Sequence, residues 1–136
     1  MMMAMLSSVS GLRAHQTRMD VTANNVSNVN TDDFKSSSVT FKDSFVRTIR
    51  QAGLANENTG GTNPMQVGSG VSIGSIRVTT APGAKRITGD TVEIMSNTDL
   101  GREFTDKIVT YRGFQANARA IPVANSMFED LVNMRR

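Results

Sequence analysis

Residues 99–134 read DLGREFTDKIVTYRGFQANARAIPVANSMFEDLVNM, and the spacing within them decides what fold to expect. Apolar residues recur at Leu100, Phe104, Ile108, Tyr111, Phe114, Ala118, Ile121, Ala124, Phe128 and Leu131, always three or four positions apart. That period keeps them on one face of an α-helix. Ser96, Asn97 and Thr98 offer capping oxygens just before the stripe. Asp99 and Glu103 place negative charge near the helix's unpaired N–H groups. Arg135 and Arg136 complement the opposite end. A helix over Asp99 to Met134 spans ~54 Å. Pro122 cannot donate to the carbonyl of Ala118, which predicts a kink near Ala118 to Ile121.

A second stripe lies near the other end of the chain: Met5, Val9, Leu12, Gln16, Met19, Ala23 and Val26. Alternating steps of four and three make a heptad seam in which only Gln16 is polar. Ser10, Arg13, Thr17, Asp20 and Asn24 occupy the opposite face. A helix over Met3 to Val26 spans ~36 Å, and Gly11 weakens it by about 1 kcal/mol relative to Ala. The cluster Asn24, Asn25, Asn28, Asn30, Thr31, Asp32 and Asp33 is turn-prone and ends that helix.

The middle of the chain reads as short elements. Val39 and Phe41 alternate with polar residues and predict a strand. Phe45, Val46 and Ile49 suit a helical turn over about Lys42 to Gln51. Residues 55–64 read as loop. Val71 and Ile73 share one phase and Ile76 and Val78 the other, so a β-bulge is expected at Gly74-Ser75. Ala81-Pro82-Gly83 reads as a turn, and Val92 with Ile94 as a last strand. These readings predict a mainly α chain with a small β or irregular middle. Its long N- and C-terminal helices would pair as a coiled coil, elongated rather than globular. Three parts follow: an N-terminal core helix (1–30), a linking region of short strands and loops (31–95), and a C-terminal core helix (96–136).

Composition narrows the function. The chain has 136 residues, no Cys and one His, which excludes disulfides, thiolate zinc sites and a cysteine nucleophile. His15 could act as a base only beside a nucleophile and an orienting acid, and the sequence proposes neither; it reads as a helix-surface or seam-edge residue. Gly68, Gly70 and Gly74 have the wrong spacing for a phosphate loop, and no helix follows them. The adjacent pairs Asp32-Asp33 and Glu129-Asp130 read as solvent-facing. Asn25-Val26-Ser27 fits a glycosylation acceptor but lies at a helix end expected to be packed. No catalytic, cofactor-binding or metal-binding residue is predicted, and no cofactor. The 15 basic residues are scattered among 12 acidic ones, which argues against nucleic acid as a partner. No apolar run approaches membrane-spanning length, and the short apolar start is not a signal peptide.

The two stripes lead to a partner. Leu, Ile, Val and Phe number 31 against 38 Ser, Thr and Asn, which predicts a thin core. The longer helix leaves about twelve residues of stripe unmatched by the shorter. The expected core and polymerisation seam is Met5, Val9, Leu12, Met19 and Val26 with Leu100, Phe104, Ile108, Tyr111, Phe114, Ile121, Phe128 and Leu131, completed by other molecules.

The same residues carry a family resemblance. SGLRAHQTRMDVTANNVSNVNT (residues 10–31), followed by Phe34-Lys35, resembles the N-terminal signature of bacterial flagellar rod and hook proteins. MSNTDLGREFTDKIVTYRGFQANAR (residues 95–119) resembles their C-terminal signature, and GGTNPMQVG (residues 60–68) resembles hook members in particular. Within the first signature, the motif residues are Asn24, Asn25, Asn28, Asn30, Thr31, Phe34 and Lys35. The resemblance implies a non-enzymatic structural subunit of the flagellar axial structure. It would polymerise as a helical tube, the hook, passing torque from rod to filament. A basal-body rod subunit is the alternative, and a non-polymerising coiled-coil adaptor the alternative from another class. Implied partners are further copies of the chain, other axial proteins (rod, hook-filament junction, hook cap) and the flagellar type III export apparatus. The implied location is the hook or basal body, reached without a cleaved signal peptide. The sequence departs from the family pattern in three ways. Only Thr79 to Asp90 stands where large outer domains are usual, Asp33 replaces a usual Gly, and Pro122 interrupts a usually continuous helix.

Overall fold

The computed structural model describes residues 2–56 and 60–134. Helix α1, Met2–Ser27, is followed by strands β1 (Ser37–Asp43), β2 (Val46–Arg50), β3 (Met65–Gly68), β4 (Val71–Val78), β5 (Lys85–Thr88) and β6 (Thr91–Ile94), then by helix α2, Leu100–Asn133. The strands form three separate antiparallel pairs, β1–β4, β2–β3 and β5–β6. α1 is the central element, touching α2 on one side and β1 and β4 on another.

Local chemistry explains the boundaries. Asp99 caps α2, its carboxylate accepting the Gly101 and Arg102 N–H groups at 2.9 and 3.3 Å. The cap is therefore Asp99 rather than the three residues before it, since only Asp99 is within reach of both N–H groups. The helix continues through Pro122 without interruption. Arg135 and Arg136, expected to complement its dipole, lie outside the described residues. At the end of α1, the Asn28 side chain donates to the Asn24 carbonyl at 3.0 Å and prolongs the last turn. Asp33 then adopts φ 53°, the left-handed conformation that a glycine would take at less cost.

The bulge lies where the phase of the apolar residues changes: Thr40 pairs with Ser75 and Phe41 with Ile73, leaving Gly74 as the extra residue. Two strands lack an expectation in the sequence, β3 and β5, and the helical turn expected over Lys42 to Gln51 is instead strand β2, paired with β3. Val46 and Ile49 are β-branched, which suits a strand; Val46 pairs with Gly68, and Ile49 is the extra residue where the register shifts between Thr48 and Arg50. β5 and β6 join through Gly89, which supplies a φ of 63° at the turn.

The expected fold class is corrected by this arrangement. The chain is α+β, with six strands packed as ladders, rather than mainly α. The middle folds back onto α1, so the molecule is not an elongated helical rod. The terminal helices also do not form a coiled coil. A coiled coil needs interlocking apolar knobs, whereas α1 and α2 meet antiparallel through small and polar residues. Gly11 faces Asn117, and His15 faces Gly113. Arg18 pairs with Asp106, and Asn25 bonds Glu103. The only apolar side chains buried among the described residues are Ala14 and Ala124.

Candidate functional site

Two features could serve a function: a polar junction that joins three elements, and a set of apolar stripes facing outward. The junction centres on Asn25, which is 1% exposed. Its amide nitrogen donates to the Ser37 carbonyl at 2.7 Å and to Glu103 Oε1 at 2.9 Å. Its amide oxygen accepts the Ser37 N–H at 2.9 Å. One side chain thus mimics a strand partner for β1 while holding α2. Asn97 works in the same way one layer further out. It accepts the Ser36 N–H at 2.7 Å and donates to the Thr79 and Ala81 carbonyls at 2.9 and 2.7 Å. Arg18 and Asp106 close the group at 2.7 Å. Arg18, Asn97, Glu103 and Asp106 border a polar cleft of about 370 Å³ between α1, β1 and the start of α2. Burial pushes the Glu103 carboxyl above the usual range, and the bond from Asn25 offsets part of that rise.

The other motif residues frame the junction. The Asn28 side chain accepts the Thr31 hydroxyl at 3.1 Å, and the Phe34 carbonyl accepts the Asn97 N–H at 3.3 Å. Lys35 reaches back to Asp33, whose own N–H donates to the Ile94 carbonyl at 2.7 Å. Asn24 offers its carbonyl to Asn28, and Asn30 is exposed. The glycosylation pattern at Asn25 is accounted for by this burial, which hides the amide from solvent.

None of the residues expected to form the seam is fully buried. Met5, Leu12, Met19, Val26, Ile121 and Phe128 are half-buried. Val9, Leu100, Phe104, Ile108, Tyr111, Phe114 and Leu131 are exposed, Ile108 at 62% and Tyr111 at 51%. The helices meet one residue earlier on each stripe. Gly11 rather than Leu12, Gly113 rather than Phe114 and Glu103 rather than Phe104 face the partner helix. One residue is a rotation of about 100°. The heptad spacing therefore belongs to two adjacent stripes, one small and polar and turned inward, the other apolar and turned outward. Thr22, Thr110, Asp106 and Asn97 were not legible as interface residues. For Thr22 and Thr110 the only signal was a small polar residue one position before Ala23 and Tyr111 of the apolar stripes.

Comparison with known proteins draws on both ends of the chain. Residues 5–35 match the family described as Flagella basal body rod protein. Residues 94–134 match Flagellar basal body rod FlgEFG protein C-terminal. The chain belongs to the flagellar rod and hook protein family. It is similar to the flagellar hook protein FlgE of Treponema pallidum, 46% identical over 94 residues, which are 69% of this chain and 20% of that protein. FlgE of Borreliella burgdorferi is 48% identical over 84 residues, 62% of this chain and 19% of the relative. The basal-body rod protein FlgG of Bacillus subtilis is 40% identical over 99 residues, 73% of this chain and 38% of the relative. The chain thus spans well under half the length of these rod and hook relatives. The Asn25 junction joins the two family segments, since Asn25 lies in the first and Glu103 in the second.

Proposed function

We propose that this chain is a non-enzymatic structural subunit of the bacterial flagellar axial structure, polymerising through its outward apolar stripes into the helical tube of the hook. The observation that carries this reading is the division between the stripes. The intramolecular contact uses small and polar side chains, while Phe104, Ile108, Tyr111 and Phe114 stand at 50%, 62%, 51% and 39% exposure. A contiguous apolar face of that kind marks an interaction site. In an open helical array one surface meets a different surface of the next copy, so every subunit is covered without the array closing. The linking strands between the terminal helices would then touch neighbouring copies.

The hook position is favoured over the rod by residues 60–68 and by the two FlgE relatives; similarity to FlgG keeps the rod as the second reading. Partners under either reading are further copies of the chain, adjoining axial proteins and the export apparatus, and the site of action is the hook or basal body. Phe114→Asp tests the proposal. A charge on an already exposed position leaves the subunit folded but cannot be buried against another copy without a large desolvation cost. Electron microscopy of the variant is expected to show dispersed particles where the parent chain forms tubes. Normal tubes from Phe114→Asp would overturn the assignment of this face.

A further inference from the structure

His15 stands where three elements meet. Its ring lies edge-to-face with Phe41 of β1, with centroids 5.5 Å apart and planes at 87°. On the α2 side, a methyl group built on Gly113 would lie 2.6 Å from the ring, so no spare volume remains there. Nδ1 is buried and has no hydrogen-bond partner among the described residues. A neutral imidazole can leave that nitrogen without a proton. An imidazolium must carry N–H groups on both nitrogens, which makes Nδ1 a charged donor without an acceptor, a costly state to bury.

The charges around the ring do not offset that cost. From α1 the facing group is Arg18, a cation held 5.8 Å from the Phe41 centroid. On α2 the ring meets Gly113, which is uncharged, and the Asp106 carboxylate is engaged by Arg18 at 2.7 Å. β1 presents the uncharged Phe41, and Lys42 alternates to the opposite face. On β4 the one titratable side chain is Arg77, which pairs with Ser38 rather than near Phe41. We infer that His15 is a pH-sensitive latch: neutral, it fastens α1 between Phe41 and Gly113, and protonated, it releases α1 from both. Burial first, then the Arg18 charge, hold its pKa below the ordinary value. The unfolded chain therefore takes up its proton before the folded one does. The latch contributes fully above about pH 6.5 and is lost as pH falls from there through the lower folded value.

The inference concerns contacts within one chain and is independent of how copies assemble. Because the chain has one His, the imidazole signals in a proton NMR titration report this site alone. The expected midpoint lies below about 6.5, with helical content becoming easier to melt as the pH falls from about 7.5 to 5. His15→Phe keeps an aromatic ring at the site without a titrating group, and its stability is expected to lose that slope. Glu103 titrates with the opposite sign, and comparing the two chains at each pH cancels its effect. If His15→Phe does not fold, Phe41→Leu supplies the second test, opening the site and moving the His15 midpoint upward. A midpoint at or above the ordinary value, an unaltered slope in His15→Phe, or an unmoved midpoint in Phe41→Leu would each overturn the latch.

Discussion

Asn25 is a polar side chain placed where water cannot reach it, and it is tolerated because both ends of its amide are used. Buried polar groups cost little when paired and about 1–3 kcal/mol when orphaned. Asn25→Ala strands the Ser37 peptide groups and the Glu103 carboxylate together, so a loss of about 2 kcal/mol or more is expected in urea unfolding. Asn25→Asp keeps the acceptor but loses the donor, and places a second carboxylate against Glu103. It is expected to be destabilised at neutral pH and to recover partly in acid, where the two carboxyls share a proton. A stability difference from the parent that does not change with pH would refute that account. The raised Glu103 carboxyl acts in the same direction in the parent chain. Its protonated form is the one burial favours, so its contribution is full below the ordinary carboxyl value and is lost as pH rises from there through the higher folded value.

The two helix glycines separate what is written in a pattern from what packing decides. Gly11 reads in sequence as a weak point and Gly113 has no visible role, yet each lies against the other helix. The side chain that would meet a new methyl differs. At Gly11 it is the end of the Asn117 amide, 2.6 Å away, which can swing aside. At Gly113 it is the His15 ring, wedged against Phe41. Gly11→Ala is therefore expected to stabilise by up to about 1 kcal/mol through helix propensity. Gly113→Ala is expected to destabilise by about 1–2 kcal/mol, as overpacking outweighs the same gain. Thermal melts that shift both variants in one direction would refute the contrast. The extent of both helices was legible because period and end signals agree over many residues. The face by which they meet was not, because a stripe of Gly, Thr, Asn and Asp carries no hydrophobic signal and the neighbouring apolar stripe does. β2 was misread for a related reason. Phe45, Val46 and Ile49 fit a helical turn, and only the pairing of Val46–Arg50 with the distant β3 makes the segment extended. The junction was half legible: Asn25 and Phe34 stood in a recognisable motif, whereas their ties to Glu103 and Asn97 reach across about half the chain.

The whole molecule exposes 10223 Å², against about 6,900 Å² for a closed monomer of its mass. Three separate two-stranded ladders add to this excess, since a lone hairpin is marginal in water. β2 and β3 are exposed along their full lengths, as are Phe45 at 89% and Leu54 at 94%. A chain in this condition gains more from neighbours than from its own interior. If copies cover these faces, association favours the folded state by mass action. The unfolding midpoint is then expected to rise steadily with protein concentration, by scanning calorimetry over a hundredfold range. A midpoint independent of concentration would count against self-assembly as the source of stability.

Tyr111 stands on the outward stripe of α2, half exposed, and the chain has no other tyrosine and no tryptophan. Its ultraviolet emission therefore comes from one known place. When another molecule settles over that face, the phenol loses water and its tumbling slows, so intensity and polarisation change together. The native chain is its own optical gauge of contact, needing no dye, tag or added residue, and the reading comes from the face on which the proposed tube would be built.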